Sequence, residues 1–335
     1  MAQIDKPNTQ FNPVLYTGNG STQAITTGFE PDFVWCKDRT SGTPWHQLTD
    51  SVRGTNSQLF SNSTSAEETA TNKLTSFDSD GFTLGSSGGI NGSGQNFVSW
   101  NWKAGGTAVS NTAGTITSSV SANTDSGFSV VSYTGTGANA TVGHGLGVAP
   151  KMIIVKNRSA VAHWMVGCDS IAWTNYLVLS LTQESISDSQ VWNNTAPTSS
   201  VFSVGVASPS NGSGNNLIAY CFAEKKGYSK FGSYVGNGSA DGNFCFTGMK
   251  PSFVMIKCTS NATDWFINDN KRLGYNGGNK VLYPDLSNAE ASSPQIDILS
   301  NGFKTRTVDS MINNSGFTYI YMAFAENPLV GTNNI

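Results

Sequence analysis

Tyr16-Thr17-Gly18-Asn19-Gly20-Ser21 decides the fold, because the phrase returns twice. It reappears as Tyr133-Thr134-Gly135-Thr136-Gly137-Ala138 and as Tyr234-Val235-Gly236-Asn237-Gly238-Ser239. Self-similarity at a long period marks tandem structural units. Outward from each copy comes a Pro, then an apolar run ending in Lys: Pro31 to Lys37, Pro150 to Lys156 and Pro251 to Lys257. Those prolines lie 119 and 101 residues apart, and a Trp follows each by 14 residues, at Trp45, Trp164 and Trp265. A polar turn recurs later, at Asn91-Gly92-Ser93-Gly94, Asn211-Gly212-Ser213-Gly214 and Asn313-Asn314-Ser315-Gly316. Each copy closes on an alternating aromatic segment, at Phe97 to Trp102, Leu217 to Phe222 and Phe317 to Phe324.

A period of two puts Val98, Trp100 and Trp102 on one strand face, and Ile218, Tyr220 and Phe222 on the matching face of the next copy. That face reads as core. Asp80-Gly81, Asn91-Gly92 and Asn301-Gly302 bound the strands with residues suited to tight turns. The pattern predicts an all-β chain of three tandem antiparallel β-sandwich domains, jelly-roll-like, at residues 1–106, 107–226 and 227–335. Residues 104–126, rich in Ser, Thr and Gly, read as a linker with room for one added strand at Thr115 to Val120. Short turns of helix are expected at Gln47 to Arg53 and Ser287 to Ala291.

The chain has 335 residues, of which 12% are charged, with a net charge of −3. That charged share is about half the usual one, so Asn, Ser, Thr and Gly fill the surface. The longest basic run is Lys225-Lys226, which gives nucleic acid no electrostatic footprint. No apolar stretch reaches the length of a membrane helix, so membrane insertion is not expected. The first residues show no apolar export segment, and assembly in a cytoplasm follows as the expectation. Cys36, Cys168, Cys221, Cys245 and Cys258 are odd in number and widely spaced, which points to free buried thiols.

No constellation for catalysis stands out. His46, His144 and His163 are not spaced as metal ligands, so no metal or cofactor is expected. Gly85-Ser86-Ser87-Gly88-Gly89 fits G-x-S-x-G but lacks the strand-to-helix frame of a nucleophile elbow. Asp78-Ser79-Asp80-Gly81 reads as a hairpin rather than half a calcium loop. Glu67, Glu184 and Glu290 place one acid in each copy with no close partner. A glycosidase pair drawn from distant strands is the enzyme reading left open.

For binding, Trp45, Trp164 and Trp265 read either as packing residues at a sheet edge or as stacking platforms for a sugar ring. The segment carrying Trp265, Asn268, Asp269, Asn270, Lys271, Arg272 and Tyr275 looks too polar for a central strand. It is the first choice for a surface contact with a neutral polysaccharide. Packing against a neighbouring domain or subunit is the other reading.

The stretches Tyr16 to Thr22, Ser76 to Phe82, Val98 to Gly106, Gly143 to Lys156, Phe222 to Gly232 and Tyr321 to Pro328 resemble a family of virion structural proteins of tailed bacteriophages. Many of these come from marine phages and are labelled tail fibre or tail-associated. The resemblance covers essentially the whole chain. It implies a non-catalytic phage virion protein, a tail-fibre or tail-tip adhesion subunit contacting the host surface. The alternatives are a capsid decoration protein and, third, a polysaccharide depolymerase. The implied partners are other virion proteins and a host surface glycan. By analogy with fibres the implied assembly is a homotrimer, although three copies in one chain could themselves form a pseudo-threefold unit.

Overall fold

The computed structural model describes residues 4–272, 279–293 and 295–328. The described chain is nearly all β, in antiparallel sheets of sandwich type. Strand pairing falls into three groups that follow the sequence repeats. In each group an opening strand (Phe11–Thr17, Phe128–Thr134, Ser229–Val235) pairs with a closing strand (Asn96–Trp102, Asn216–Phe222, Thr318–Pro328). The closing strand then pairs with a central strand (Phe33–Asp38, Met152–Asn157, Met249–Cys258). A flanking strand follows it (Gln47–Asp50, Met165–Cys168, Phe266–Asp269). Beyond that lies a rim strand: Ser57–Phe60 in the first repeat, Asn175–Val178 in the second, and in the third the segment around Lys280–Val281, bridged through Ile267 and Leu282.

The residues 104–126 are not a linker. Val109–Asn111 and Ser118–Asn123 form a hairpin that extends the inner sheet of the second repeat past its opening strand. Val120 is buried there, so the segment has its own claim on the core. Neither expected helical turn forms: Gln47–Asp50 is a buried flanking strand, and residues 287–290 have no regular structure, with Ala291 beginning a two-residue strand paired with Lys280–Val281. The α-helices present are single turns at Gly88–Asn91, Ser189–Trp192 and Ser208–Asn211.

The repeated phrase earns its recurrence through backbone geometry. A Cβ on Gly18, Gly135 or Gly236 would lie about 2.3, 2.3 and 2.2 Å from the carbonyl oxygens of Gly92, Gly212 and Asn314. The second glycine of each phrase has φ of +70, +69 and +64°, where side chains are strained. The tyrosine hydroxyls of Tyr16, Tyr133 and Tyr234 each donate to a carbonyl, of Ile90, Ser210 and Ile312, at 2.7 Å. Buried Asn91, Asn211 and Asn313 accept from the backbone N–H of Asn19, Thr136 and Asn237. The two most legible motifs therefore clamp each other, one loop against one turn.

Each inner sheet is buried on both faces. Leu217, Ala219 and Cys221 of the second closing strand pack within their own repeat, as Tyr319, Tyr321 and Ala323 do in theirs. The opposite residues, Val98, Trp100 and Trp102, then Ile218, Tyr220 and Phe222, then Ile320, Met322 and Phe324, meet in one core shared by all three repeats. Register makes Trp102, Phe222 and Phe324 equivalent, since each sits opposite the residue two after the recurring proline, Phe33, Met152 and Phe253. Their rings converge, with centroids 6.3 Å (Trp102 to Phe222), 5.6 Å (Trp102 to Phe324) and 6.0 Å (Phe222 to Phe324) apart. The three repeats thus close on a pseudo-threefold axis rather than running as beads on a string. The five cysteines are free and buried.

Candidate functional site

The residues singled out for sugar contact are mostly interior. Trp164 and Trp265 are 0% and 1% exposed, and Asn268, Asp269, Asn270 and Arg272 are buried as well. A buried ring offers no face to a ligand, so these residues are not an open platform. Tyr275 lies outside the described residues. Trp45 alone of the three tryptophans reaches solvent, at 39% exposure, with its ring edge-on to Phe60.

What the structure brings together instead is a set of seams between repeats. Trp164 Nε1 donates to the Phe60 carbonyl of the first repeat at 2.8 Å, and Trp265 Nε1 donates to the Val178 carbonyl of the second at 2.9 Å. Ladder register shows that the third member of this set is His46, not Trp45. Leu48, Val166 and Ile267 occupy matching positions, and the first repeat has one extra residue before its flanking strand. His46 is fully buried. Its Nδ1 accepts from Trp35 Nε1 at 2.9 Å. Burial pushes the imidazole pKa well below its ordinary value, while the Tyr283 backbone of the third repeat pulls the other way. Its Nε2 makes no complete hydrogen bond.

Two of the three recurring lysines serve the same seams. Lys156 Nζ donates to the carbonyl of Thr64 across the seam and of Ala162 in its own repeat. Lys257 does the same with Thr182 and Thr263. Lys37 bonds the carbonyl of Asp38. Burial lowers all three ammonium groups to about 8.

Two seams hold an ionic network. Between the first and second repeats, Asp50 Oδ2 accepts from Arg53 Nε at 2.5 Å and from the Tyr220 hydroxyl at 2.8 Å. Arg53 continues to Glu67 at 3.0 Å, and Arg158 grips Glu67 with two bonds of 2.8 and 2.7 Å. Burial alone would raise the Glu67 carboxyl, but hydrogen bonds and charge from Arg158 and Arg53 hold it below its ordinary value. Between the third and first repeats the pattern is copied. Asp269 Oδ2 accepts from Arg272 at 2.6 Å and from Trp100 Nε1 at 2.9 Å. Arg39 then forks onto Glu290 at 2.8 and 3.0 Å. Asp269 and Arg272, read from sequence as ligand contacts, are structural charges of this network.

The seam between the second and third repeats carries none of these charges. By register, Cys168 stands where Asp50 and Asp269 stand, and Ile171 where Arg53 and Arg272 stand. Thr259 replaces Arg158 and Arg39, and Ser185 replaces the glutamates. The backbone joint survives the exchange: Ser185 N–H donates to the Thr259 carbonyl at 2.9 Å, as Glu67 and Glu290 donate to Arg158 and Arg39. Glu184, grouped with those acids in sequence, is one residue off register.

Sequence reasoning missed Arg39, Arg53 and Arg158. Their signal was present, because Arg39 and Arg158 both follow the recurring lysine by two residues.

Residues 6–328 match a family described as a domain of unknown function, DUF7483. The chain belongs to that family. No curated protein and no solved structure matches it. The DUF7483 match covers all three repeats together, as the shared core requires. Among the described residues no group of three or more His, Cys, Asp or Glu is placed to hold a metal ion, and no helix is long and apolar enough to cross a membrane. At the centre of the shared core is an enclosed apolar void of about 10 Å3, bounded in part by Trp35, Trp102 and Ile154, too small for an organic ligand.

Proposed function

We propose that this chain is a non-catalytic structural subunit of a tailed-phage particle, placed at the tail fibre or tail tip and facing the host surface. The observation that carries the reading is the closed ring of three repeats. One chain builds the threefold body that a fibre tip needs, with its aromatic faces consumed inside and a weakly charged, amide- and hydroxyl-rich surface outside. The phage resemblance of the sequence supplies the particle. Several side chains suited to chemistry are committed to structural bonds: His46 to Trp35, His144 to the Thr198 carbonyl and Leu146 N–H, and Asp50 and Asp269 to arginines. This arrangement favours a mechanical or adhesive role over turnover. It also makes the chain its own pseudo-trimer, so its core needs no second or third copy.

Electron microscopy of particles labelled with antibody against this chain tests the placement. Label at the distal tail is the expected result. Label confined to the head would overturn the fibre reading in favour of capsid decoration. Light scattering of the purified chain tests the assembly, with a 35.5 kDa monomer as the expected mass.

A further inference from the structure

The uncharged seam holds an open groove at the place where, in the first-to-second seam, an arginine crosses. In the first seam Arg158 spans from Glu67 to the Ser132 hydroxyl, at 3.4 Å, and Arg53 stands beside it. Ser132 and Ser233 are register equivalents, opposite Ile218 and Ile320. In the second-to-third seam the side chain at the arginine position is Thr259, whose hydroxyl meets the hydroxyl and the carbonyl of Thr318 in its own repeat, at 2.7 and 3.1 Å. With Ile171 and Ser185 in the places of Arg53 and Glu67, a groove of about 490 Å3 remains, walled by Ile171, Ser185, Ser233, Val235, Thr259 and Thr318. That volume falls within the range of small-ligand sites, roughly 300–1,000 Å3.

The chemistry of the walls is specific. Hydroxyls line it, and Ser170, Ser233 and Thr318 are exposed. Among the described residues Ser229–Val235 is an edge strand, with no strand paired to its outward side, whereas the equivalent strand of the second repeat is covered by Ser118–Asn123. Ile171 and Val235 add aliphatic surface, and Val235 is 56% exposed. The ionisable groups in the walls are Tyr234 and Tyr319, whose hydroxyls donate inward to the carbonyls of Ile312 and Ser310.

We propose that this groove binds a neutral oligosaccharide. Sugar hydroxyls exchange donor and acceptor roles with Ser, Thr and an open strand edge, while C–H faces of the rings pack on Ile171 and Val235. A charged ligand would be desolvated there without a counter-ion in the walls. The proposal deepens the host-surface reading and rests on it for the source of the sugar, not for the site.

The test is a glycan array of neutral and anionic bacterial oligosaccharides, probed with the full chain and with the double variant Ser185→Glu, Thr259→Arg. That variant installs the Glu–Arg pair present in the other seams. The expected result is binding to neutral glycans, insensitive to added salt, and weakened at least about tenfold in the double variant with its melting temperature kept. Should the double variant fail to fold, Ser233→Arg on the exposed edge is read in its place, with the same loss expected. No neutral glycan bound by the wild-type chain, or binding that survives the filled groove, overturns the proposal. Tail labelling with no glycan binding would sink the groove alone, and glycan binding with label only on the head would sink the fibre placement alone.

Discussion

The first-to-second seam and the second-to-third seam share a backbone and differ in chemistry. Both have the same cross-seam N–H to carbonyl joint, the same indole bond and the same lysine bridge. One adds Asp50, Arg53, Glu67, Arg158 and Tyr220 in a connected network, and the other puts Cys168, Ile171, Ser185, Thr259 and Met322 in those places. The difference teaches that closure of the ring does not depend on carboxylate–arginine pairs. Backbone joints and the shared apolar core set the geometry, and the ionic networks are additions that fill space and fix register.

The sharpest break of this comparison is to remove one buried arginine. Arg53→Leu leaves the buried Asp50 charge without its cation, while Glu67 keeps Arg158, and should cost about 3–5 kcal/mol in chemical denaturation. The matching change in the neutral seam, Ile171→Ala, should cost less than about 2 kcal/mol, because the side chain is only partly buried and leaves no charge behind. Equal losses would mean that the two seams do not differ in the way described.

A smaller effect should follow from the feature the seams share. Trp164→Phe and Trp265→Phe each keep an aromatic ring and remove one buried bond from a carbonyl, at Phe60 and Val178, that retains a longer backbone bond of 3.3 Å, for a loss of about 0.5–1.5 kcal/mol apiece. Similar losses from both would place the indole bond among the common elements of closure. A neutral result in either would remove it.

Acid separates the seams again. Glu67 has its folded pKa held below its unfolded value near 4.5, so its contribution is present above that pH and is lost as pH falls through the folded value. Glu67→Gln should therefore flatten the fall of melting temperature below pH 4.5, whereas Ser185→Ala should leave that fall unchanged. An identical acid profile in wild type and Glu67→Gln would contradict this.

The sequence made the repeat, the strand faces and the all-β class readable, because motif spacing and a period of two are local properties. The same periodicity picked out Trp100, Trp102, Tyr220 and Phe222 as core, although it could not say that this core belongs to three repeats at once. It misplaced the site for a related reason. Trp265, Asp269 and Arg272 look like a polar surface segment until the neighbouring repeat supplies the Val178 carbonyl, Trp100 and Glu290. The alignment of Trp45 with Trp164 was an accident of one extra residue before the flanking strand, invisible until the ladder fixed His46 in that place. The groove had no positive motif, because it is defined by what Thr259 and Ser185 fail to fill.

The smallest effect concerns the three recurring lysines alike. Lys37, Lys156 and Lys257 have folded pKa values near 8, below the 10.5 of a free lysine, so while charged they penalise the fold. That penalty is complete below pH 8 and is relieved as pH rises, because the unfolded chain then binds more protons. Melting temperature should climb modestly between pH 8 and about 10, and the climb should shrink with each Lys→Met replacement. A decline over the same window would show the lysines to be solvated.

The central claim is closure of the first repeat onto the third, and a double-mutant cycle on Trp100 and Asp269 tests it most directly. These residues lie 169 positions apart and meet through one buried bond of 2.9 Å. Trp100→Phe, Asp269→Asn and the pair are each unfolded by denaturant. A closed ring predicts a coupling of at least about 1 kcal/mol between the two changes. Additivity within about 0.3–0.5 kcal/mol would mean that the two side chains do not touch, and that the ring is open.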